Sequence, residues 1–543
     1  MDVNELAKRK EGPNVYEAIR RDVKKTTDIK SICKRREQAK QDLDMWRGML
    51  ETAYNYAVPN YNPFLNYGRG GAVAKGQVHN ADIYDLTLPI AHERLVNKML
   101  TGMVPQSQQW CKFMPGSSFG PEGSPEYKDA LEVTQQITDA WFKIIDRSNF
   151  YLAVSESFSD VLISTGFLTI NAGPKSDPIR FEAAPASQVY IEGNAIGSVT
   201  AVFRDWIDVR VETIPQLWPE AKMPNNKKPD DKITIWECAY IDYNADENER
   251  YVTCILTSDK EVLFEDRSAS WAWVIYRMRK LAGEVRGRGP SLTAYPSAAT
   301  INYAVGDELM AAAFQANPMY MAASDSAYNS WTFSAKPGAI IPVQMIMGDW
   351  PIQAFPGGGN INFSAMVISD FRQQINEVMF ASPLGPVSAP DKTATESQIR
   401  YQENLEAFSA MVPRVQSEFF EPVIKRSMYL MNQVVPETFA NVDPKIKDKL
   451  ISVNGDFIDL KFETPLMTAR GQLKTQSIMS FVAALQSIVG PEAASAAIEP
   501  AALVQQLAEN QGIKMSLVKS QEEINQILEK AGEVAATEVQ QSM

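Results

Sequence analysis

Two glycine-rich stretches, two histidines and four cysteines are the residues of this 543-residue chain whose types and spacing bear on chemistry. Gly71-Ala-Val-Ala-Lys-Gly76 has the outer spacing of a phosphate-binding loop. Gln77 and Val78, however, stand where Lys and Ser/Thr must reach phosphate and magnesium. The ATPase reading falls with that lysine. Arg286-Gly-Arg-Gly-Pro290 precedes a predicted helix whose N-terminus has the free N–H groups to hold an anion. A tight turn that pairs Arg286 or Arg288 with a neighbour is the plainer expectation. His79 and His92 have no Ser or Cys beside them in a nucleophile context, and His92 is expected on a helix flank. GxSxG and HExxH are absent, and no carboxylate spacing suits a two-metal nuclease. Cys33, Cys111, Cys238 and Cys254 show no CxxC spacing, which points to neither a zinc knuckle nor a disulfide framework. No cofactor or metal is expected, and the chain reads as non-enzymatic.

The bulk composition narrows the classes further. A net charge of -13 argues against a protein that wraps nucleic acid through a broad basic face. A charged fraction of 22% and an aromatic fraction of 10% fit a folded chain, and its length calls for several modules. Met1-Asp-Val-Asn-Glu-Leu6 lacks the basic-then-apolar order of a signal peptide, and no apolar run approaches the roughly 20 residues that span a bilayer. The expectation is a soluble protein, cytoplasmic at synthesis, without membrane contact.

The elements that must position any site follow from periodicity. Residues 1–55 read as a charged helical segment, with Lys34-Arg35-Arg36 expected as a solvated face. Helices are predicted for 82–103, with Pro89 kinking it or marking its true start, and for 127–147 and 151–165. Gly166 is expected to stop the last of these in a left-handed conformation. The period then changes to two, with short strands beginning at Phe167, Ile179, Val189, Val199, Ile233, Tyr251 and Trp271, as in an antiparallel region. Trp206, Trp236, Trp271 and Trp273 in these strands are expected to pack. A helix over 291–314 leads into an insert at 317–355 with β-like runs broken by Pro and Gly, then into a second helix over 362–380. A Pro/Gly loop, 381–393, precedes a long helix to Gln433, opened by the capping boxes Thr393-x-x-Glu396 and Thr395-x-x-Gln398. That helix spans about 57 Å at the usual rise, and Pro413 and Pro422 are expected to bend it. Strand character at 450–453 and 457–462 and three small helices, 468–489, 500–510 and 520–530, complete an α+β chain.

Several stretches together resemble the portal, or head-to-tail connector, proteins of short-tailed (podovirus-type) phages. They are Tyr276-Arg-Met-Arg279, Arg286-Gly-Arg-Gly-Pro290, Asn317-Pro318, Phe380-Ala-Ser-Pro-Leu-Gly385, Thr393-Ala-Thr-Glu-Ser-Gln-Ile-Arg-Tyr401 and the helix Met411–Arg426. Asn149–Ile170 resembles that family's helix-to-strand passage in the wing. The resemblance implies an elongated multi-domain portal fold that assembles as a ring, usually of twelve subunits, at one vertex of the capsid. It would divide the chain into an N-terminal arm and wing (1–280), a first stem helix (281–316) and a clip (317–360). A second stem helix (361–380), a tunnel loop (381–394), a long kinked wing helix with following strands (395–464), and crown helices with a tail (465–543) would follow.

The same resemblance implies the partners and the working residues. Double-stranded DNA would pass through the channel, beside a loop made of Ser382, Pro383, Leu384, Gly385, Pro386, Val387, Asp391 and Lys392. The clip, with Trp331, Phe333, Lys336 and Trp350, would dock the terminase large subunit and later a tail adaptor. Major capsid and scaffolding proteins would surround the ring, in the virion and, during assembly, in the host cytoplasm. The acidic composition fits such a conduit, because duplex DNA carries one negative charge per about 1.7 Å and a strongly basic channel would hold it fast. Lys392, beside Asp391, is the cation expected to centre the duplex. Two other readings stand beside this one: a nucleic-acid-processing ATPase or nuclease of packaging, resting on Gly71–Gly76, and another virion adaptor or ejection protein.

Overall fold

The computed structural model describes residues 28–64, 82–323 apart from 107 and 121–124, and the segments 340–343, 352–354, 361–381, 412–436 and 458–462, with isolated positions between 475 and 507. Helix α1 (Ile29–Ala57) starts where the Asp28 carboxylate accepts the Lys30 N–H at 3.1 Å, and it ends at Val58, ahead of Pro59. Its buried residues Ile32, Ala39, Leu43, Leu50 and Tyr54 follow at steps of seven, four, seven and four, which makes one apolar stripe.

The polar edge of that stripe corrects the expectation of a solvated Lys34-Arg35-Arg36 face. Arg36 is buried, donating to Asp205 through Nε at 3.0 Å and Nη2 at 2.6 Å, with its guanidinium 4.1 Å from the Trp236 ring centre. Burial alone would lower its pKa, but the hydrogen bond and charge of Asp205 raise it, so the cation is held. Arg35 reaches Glu192 at 2.8 Å. A charge run that looks solvated in isolation is therefore the means by which α1 is riveted to a sheet.

That sheet has five antiparallel strands in the order β4 (Val189–Gly193), β5 (Val199–Arg210), β6 (Lys232–Ile241), β7 (Tyr251–Thr257) and β8 (Val262–Ser268). Along β6 the residues alternate between its two faces. Trp236 meets α1 through Arg36, while Glu237 takes the indole N–H groups of Trp206 at 2.8 Å and Trp273 at 3.1 Å. Cys238 and Cys254 are partners across β6 and β7, and burial pushes both thiols up, Cys254 to about 12, which keeps them protonated.

A second sheet has the order β3 (Ile179–Ala183), β2 (Thr165–Ala172) and β9 (Trp273–Arg277). Helices α2 (Thr87–Met103), α3 (Pro125–Arg147) and α4 (Phe150–Ile163) lie in the same core. Pro89 sits in the first turn of α2, where its missing N–H is no loss, so it marks a start and not a kink. Gly166 is not a left-handed helix stop. It lies inside β2, and a Cβ there would stand 2.4 Å from the Tyr276 ring, so close approach is what demands glycine.

An aromatic cluster joins an early stretch of the chain, residues 110–150, to a late one, residues 420–462. Trp110 packs on Trp141 at 5.4 Å, on Phe150 at 6.1 Å and on Phe420 at 5.0 Å, and Phe420 packs on Phe462 at 5.2 Å. Beside it β1 (Cys111–Pro115) pairs antiparallel with β13 (Ile458–Phe462). The Trp141 indole N–H donates to Ser427 Oγ at 2.7 Å, tying α3 to the helix α7 (Glu421–Val434).

Candidate functional site

Helix α5 (Pro290–Ala316) and helix α6 (Ile361–Val378) pack against each other. Between them in sequence lie β10 (Tyr320–Ala323), β11 (Ile340–Val343) and β12 (Ile352–Ala354), a small sheet in the order β11-β10-β12. β10 runs parallel to β11 and antiparallel to β12. The predicted order of helix, β-containing insert and helix is what the chain forms. α5 begins with Pro290, whose fixed φ suits the first helical position. Gly289 before it has no room for a side chain, since a Cβ would fall 2.0 Å from the Leu162 carbonyl oxygen. The head of α5 is thus seated directly on the end of α4.

Two polar clasps fix the helix pair to the rest of the molecule, and a third ties the segment leading into α5 to β9 and the long helix. In the first, Asn302 on α5 accepts the N–H groups of Tyr84 at 2.6 Å and Asp85 at 3.2 Å and donates to the Asp82 carbonyl at 2.8 Å. Asp85 in turn accepts from Arg372 of α6, at 3.0 Å from Nε and 2.7 Å from Nη2. One short segment ahead of α2 therefore holds both helices. The second clasp is His92, which lies on helix α2 as expected and is buried there. Nδ1 lies 2.9 Å from Ser291 Oγ at the head of α5, and Nε2 lies 2.9 Å from Ser159 Oγ on α4. Burial lowers its pKa to about 4, so the ring is neutral and donates through one nitrogen while accepting through the other. With both nitrogens taken by hydroxyls, and Ser291 fully buried, the group positions helices and presents no nucleophile.

The third clasp centres on Arg277 of β9. The long helix is described from Val412–Val415, through a π-helical turn at Gln416–Phe420, into α7. Glu418 in that turn accepts from the Arg277 backbone N–H at 3.0 Å, from Nε at 3.0 Å and from Nη2 at 2.8 Å. The remaining guanidinium nitrogen, Nη1, donates to the carbonyls of Gly197 at 2.9 Å and Val285 at 2.7 Å. Nearby, Arg288 makes the expected pairing, to Glu284 at 2.7 Å and 2.9 Å. Arg286 instead donates to the Val189 carbonyl at 2.9 Å, and burial lowers it to about 10.

α5 carries little charge. It has only Asp307 and Glu308, and it leaves Tyr303, Leu309 and Met310 exposed. Of the predicted working residues, Ser382, Pro383, Leu384, Gly385, Pro386, Val387, Asp391, Lys392, Trp331, Phe333, Lys336 and Trp350 lie outside the described residues, as do Gly71–Gly76, His79 and the first part of the long helix. Arg277 and Glu418 lie in stretches that carry the resemblance but have no expected role there, and Asn302 lies outside them. For Asn302 the available signal was a lone amide in the apolar run from Ala298 to Val305. Among the described residues no cluster of His, Cys, Asp and Glu suits a metal ion, and no helix is long and apolar enough to cross a membrane.

Comparison with known proteins agrees with this architecture. The family described as bacteriophage head to tail connecting protein matches the chain over residues 29–518. A relative described as a probable portal protein, from Bordetella phage BPP-1, is 21% identical over 508 residues, covering 86% of this chain and 84% of its own.

Proposed function

We propose, because the chain belongs to the family of bacteriophage head to tail connecting proteins, that it is the subunit of a portal ring through which double-stranded DNA enters the capsid and later leaves it. The observation that carries this reading is the α5–α6 pair with its inserted three-stranded sheet, clasped at its base by Asn302, His92 and Arg372. In this reading α5 and α6 are the stem, β10 to β12 belong to the clip that docks the terminase and the tail adaptor, and 381–394 is the tunnel loop. The sheets with α1 to α4 form the wing, and 465–543 forms the crown.

Two physical features support it. α5 is apolar around most of its circumference and yet partly uncovered in one subunit, which suits a helix that neighbouring copies cover. Repeating that flank-to-flank contact by rotation closes a ring, here taken as twelve subunits. The net charge of -13 keeps the conduit from gripping DNA by counterion release. The protein's part is then mechanical, and the hydrolysis of ATP belongs to the motor that it docks.

Native mass measurement and electron microscopy of the purified chain test the reading. Annular particles with a central hole are expected; a monodisperse monomer overturns it. Deleting residues 384–389 is expected to leave rings intact and to impair retention of packaged DNA. Unchanged DNA length and retention would remove that loop from the mechanism.

A further inference from the structure

The π-turn at Gln416–Phe420 aims three consecutive side chains inward at three different elements. Glu418 meets Arg277 of β9 at 2.8 Å. Phe419 packs on Tyr276 at 4.7 Å and on Phe158 of α4 at 5.4 Å. Phe420 packs on Trp110 at 5.0 Å and on Phe462 of β13 at 5.2 Å. An α-helix turns about 100° per residue, so three neighbours sweep past one side of it. The wider i to i+5 turn winds less per residue and keeps all three engaged. Such a turn holds one residue more than the α-helix on either side.

On the far side α7 is firmly fixed. Arg426 donates to the carbonyls of Ile170 at 3.2 Å and Ser270 at 2.9 Å, and Ser427 receives the Trp141 N–H. On the near side Val412–Val415 is one helical turn, with Val415 only 1% exposed. Arg277 is itself held by Gly197 in the turn between β4 and β5 and by Val285 in the segment leading into α5. Lys280 Nζ grips the same turn at the carbonyls of Ile196 (2.8 Å) and Gly197 (3.1 Å).

We propose that the π-turn is a register device read by Arg277. While Arg277 holds Glu418, the spare residue stays in the turn. When the 194–198 turn or the 281–288 segment shifts and draws Arg277 away, the turn closes to α-helix, and Val412–Val415 rotates by about 100° relative to α7. The base of α5 is in this way coupled to the helix that leaves the 382–411 segment, and by linkage the coupling runs in both directions. Its use in DNA passage rests on the portal reading; the device itself rests on the geometry of the single chain.

The test is Glu418→Gln in the full-length protein, with hydroxyl-radical footprinting of Val415 and amide exchange over 412–434. A register change exposes Val415 several-fold while leaving the amides protected, because the tightened turn is still helical. Deleting Ser417 as well removes the spare residue, returns both flanks to their former orientation and protects Val415 again. Should the deletion variant not fold, the two readouts on Glu418→Gln decide by themselves. Val415 that stays protected, or that opens together with the amides, overturns the proposal, as does a folded double variant in which Val415 remains exposed. Particle mass recorded on the same samples keeps the two proposals apart. A monomer defeats the portal reading and leaves the Val415 result standing.

Discussion

Asp160→Asn should stabilise the protein at pH 8 and leave it nearly unchanged at pH 4. Asp160 lies on α4 and accepts a 2.6 Å hydrogen bond from the Tyr54 hydroxyl of α1. Burial raises its carboxyl from 3.8 to about 7; the Tyr54 bond opposes the rise and the nearby Glu156 charge adds to it. A carboxyl whose folded pKa is raised contributes stability that is complete below pH 3.8 and is lost as pH climbs through 7. The gap of three pH units, at about 1.4 kcal/mol each, makes that loss about 4 kcal/mol. Asparagine mimics the neutral acid and does not titrate, so a gain of about 2–4 kcal/mol is expected at pH 8. His92 works in the opposite sense. Its folded pKa of about 4 lies below the usual 6.5, so its contribution is present above pH 6.5 and lost by about 3 kcal/mol as pH falls towards 4. In the parent protein the two slopes oppose each other between pH 4 and 6.5; in Asp160→Asn only the His92 slope remains. Calorimetric melting across pH 4 to 8 reads both. A variant destabilised equally at every pH would mean that Asp160 is ionised in the folded state, and the reasoning from burial would fail.

Three further outcomes follow from the packing. Arg36→Leu or Asp205→Ala alone should each cost about 3–5 kcal/mol by stranding a buried charge, and the double replacement Arg36→Leu with Asp205→Leu should cost less than the two together, measured by thermal unfolding. Gly289→Ala should cost about 3 kcal/mol or more, seen as lost soluble yield and a lowered Tm, because its Cβ meets the Leu162 backbone. Trp141→Phe should cost about 2–3 kcal/mol in denaturant melts, from a lost buried hydrogen bond to Ser427 and the volume removed.

Local chemistry was readable in the sequence and distant partnership was not. The strands from Phe167 to Tyr276 declare themselves because alternation is a property of neighbours. The helix pair around the β-containing insert declares itself by period and by its proline and glycine boundaries. β8 carries a weaker signal because Glu265, Asp266, Arg267 and Ser268 make its second half polar, with Glu265 and Asp266 exposed. Arg36 looked solvated because its carboxylate lies 169 residues away. His92 looked isolated because Ser159 and Ser291 are brought to it only by the packing of α4 and α5 on α2. Gly166 follows a helix in the sequence and so suggests a local helix stop, whereas a ring from β9 is what excludes a side chain there. A π-turn leaves even less trace, since one surplus residue barely disturbs the apolar period on either side of it.

The pairing of β1 with β13 joins strands separated by roughly 350 residues, an interval that takes on the order of 20–70 s to translate at ordinary ribosomal rates. Until residue 420 is made, the nascent polypeptide holds Trp110, Phe113 and Trp141 without Phe420, which packs on Trp110; Phe462, which packs on Phe420, comes later still. Prematurely terminated chains therefore display an uncovered aromatic face, the kind of surface that chaperones and proteases retain. The closure of β1 on β13 is therefore among the last steps that complete this core.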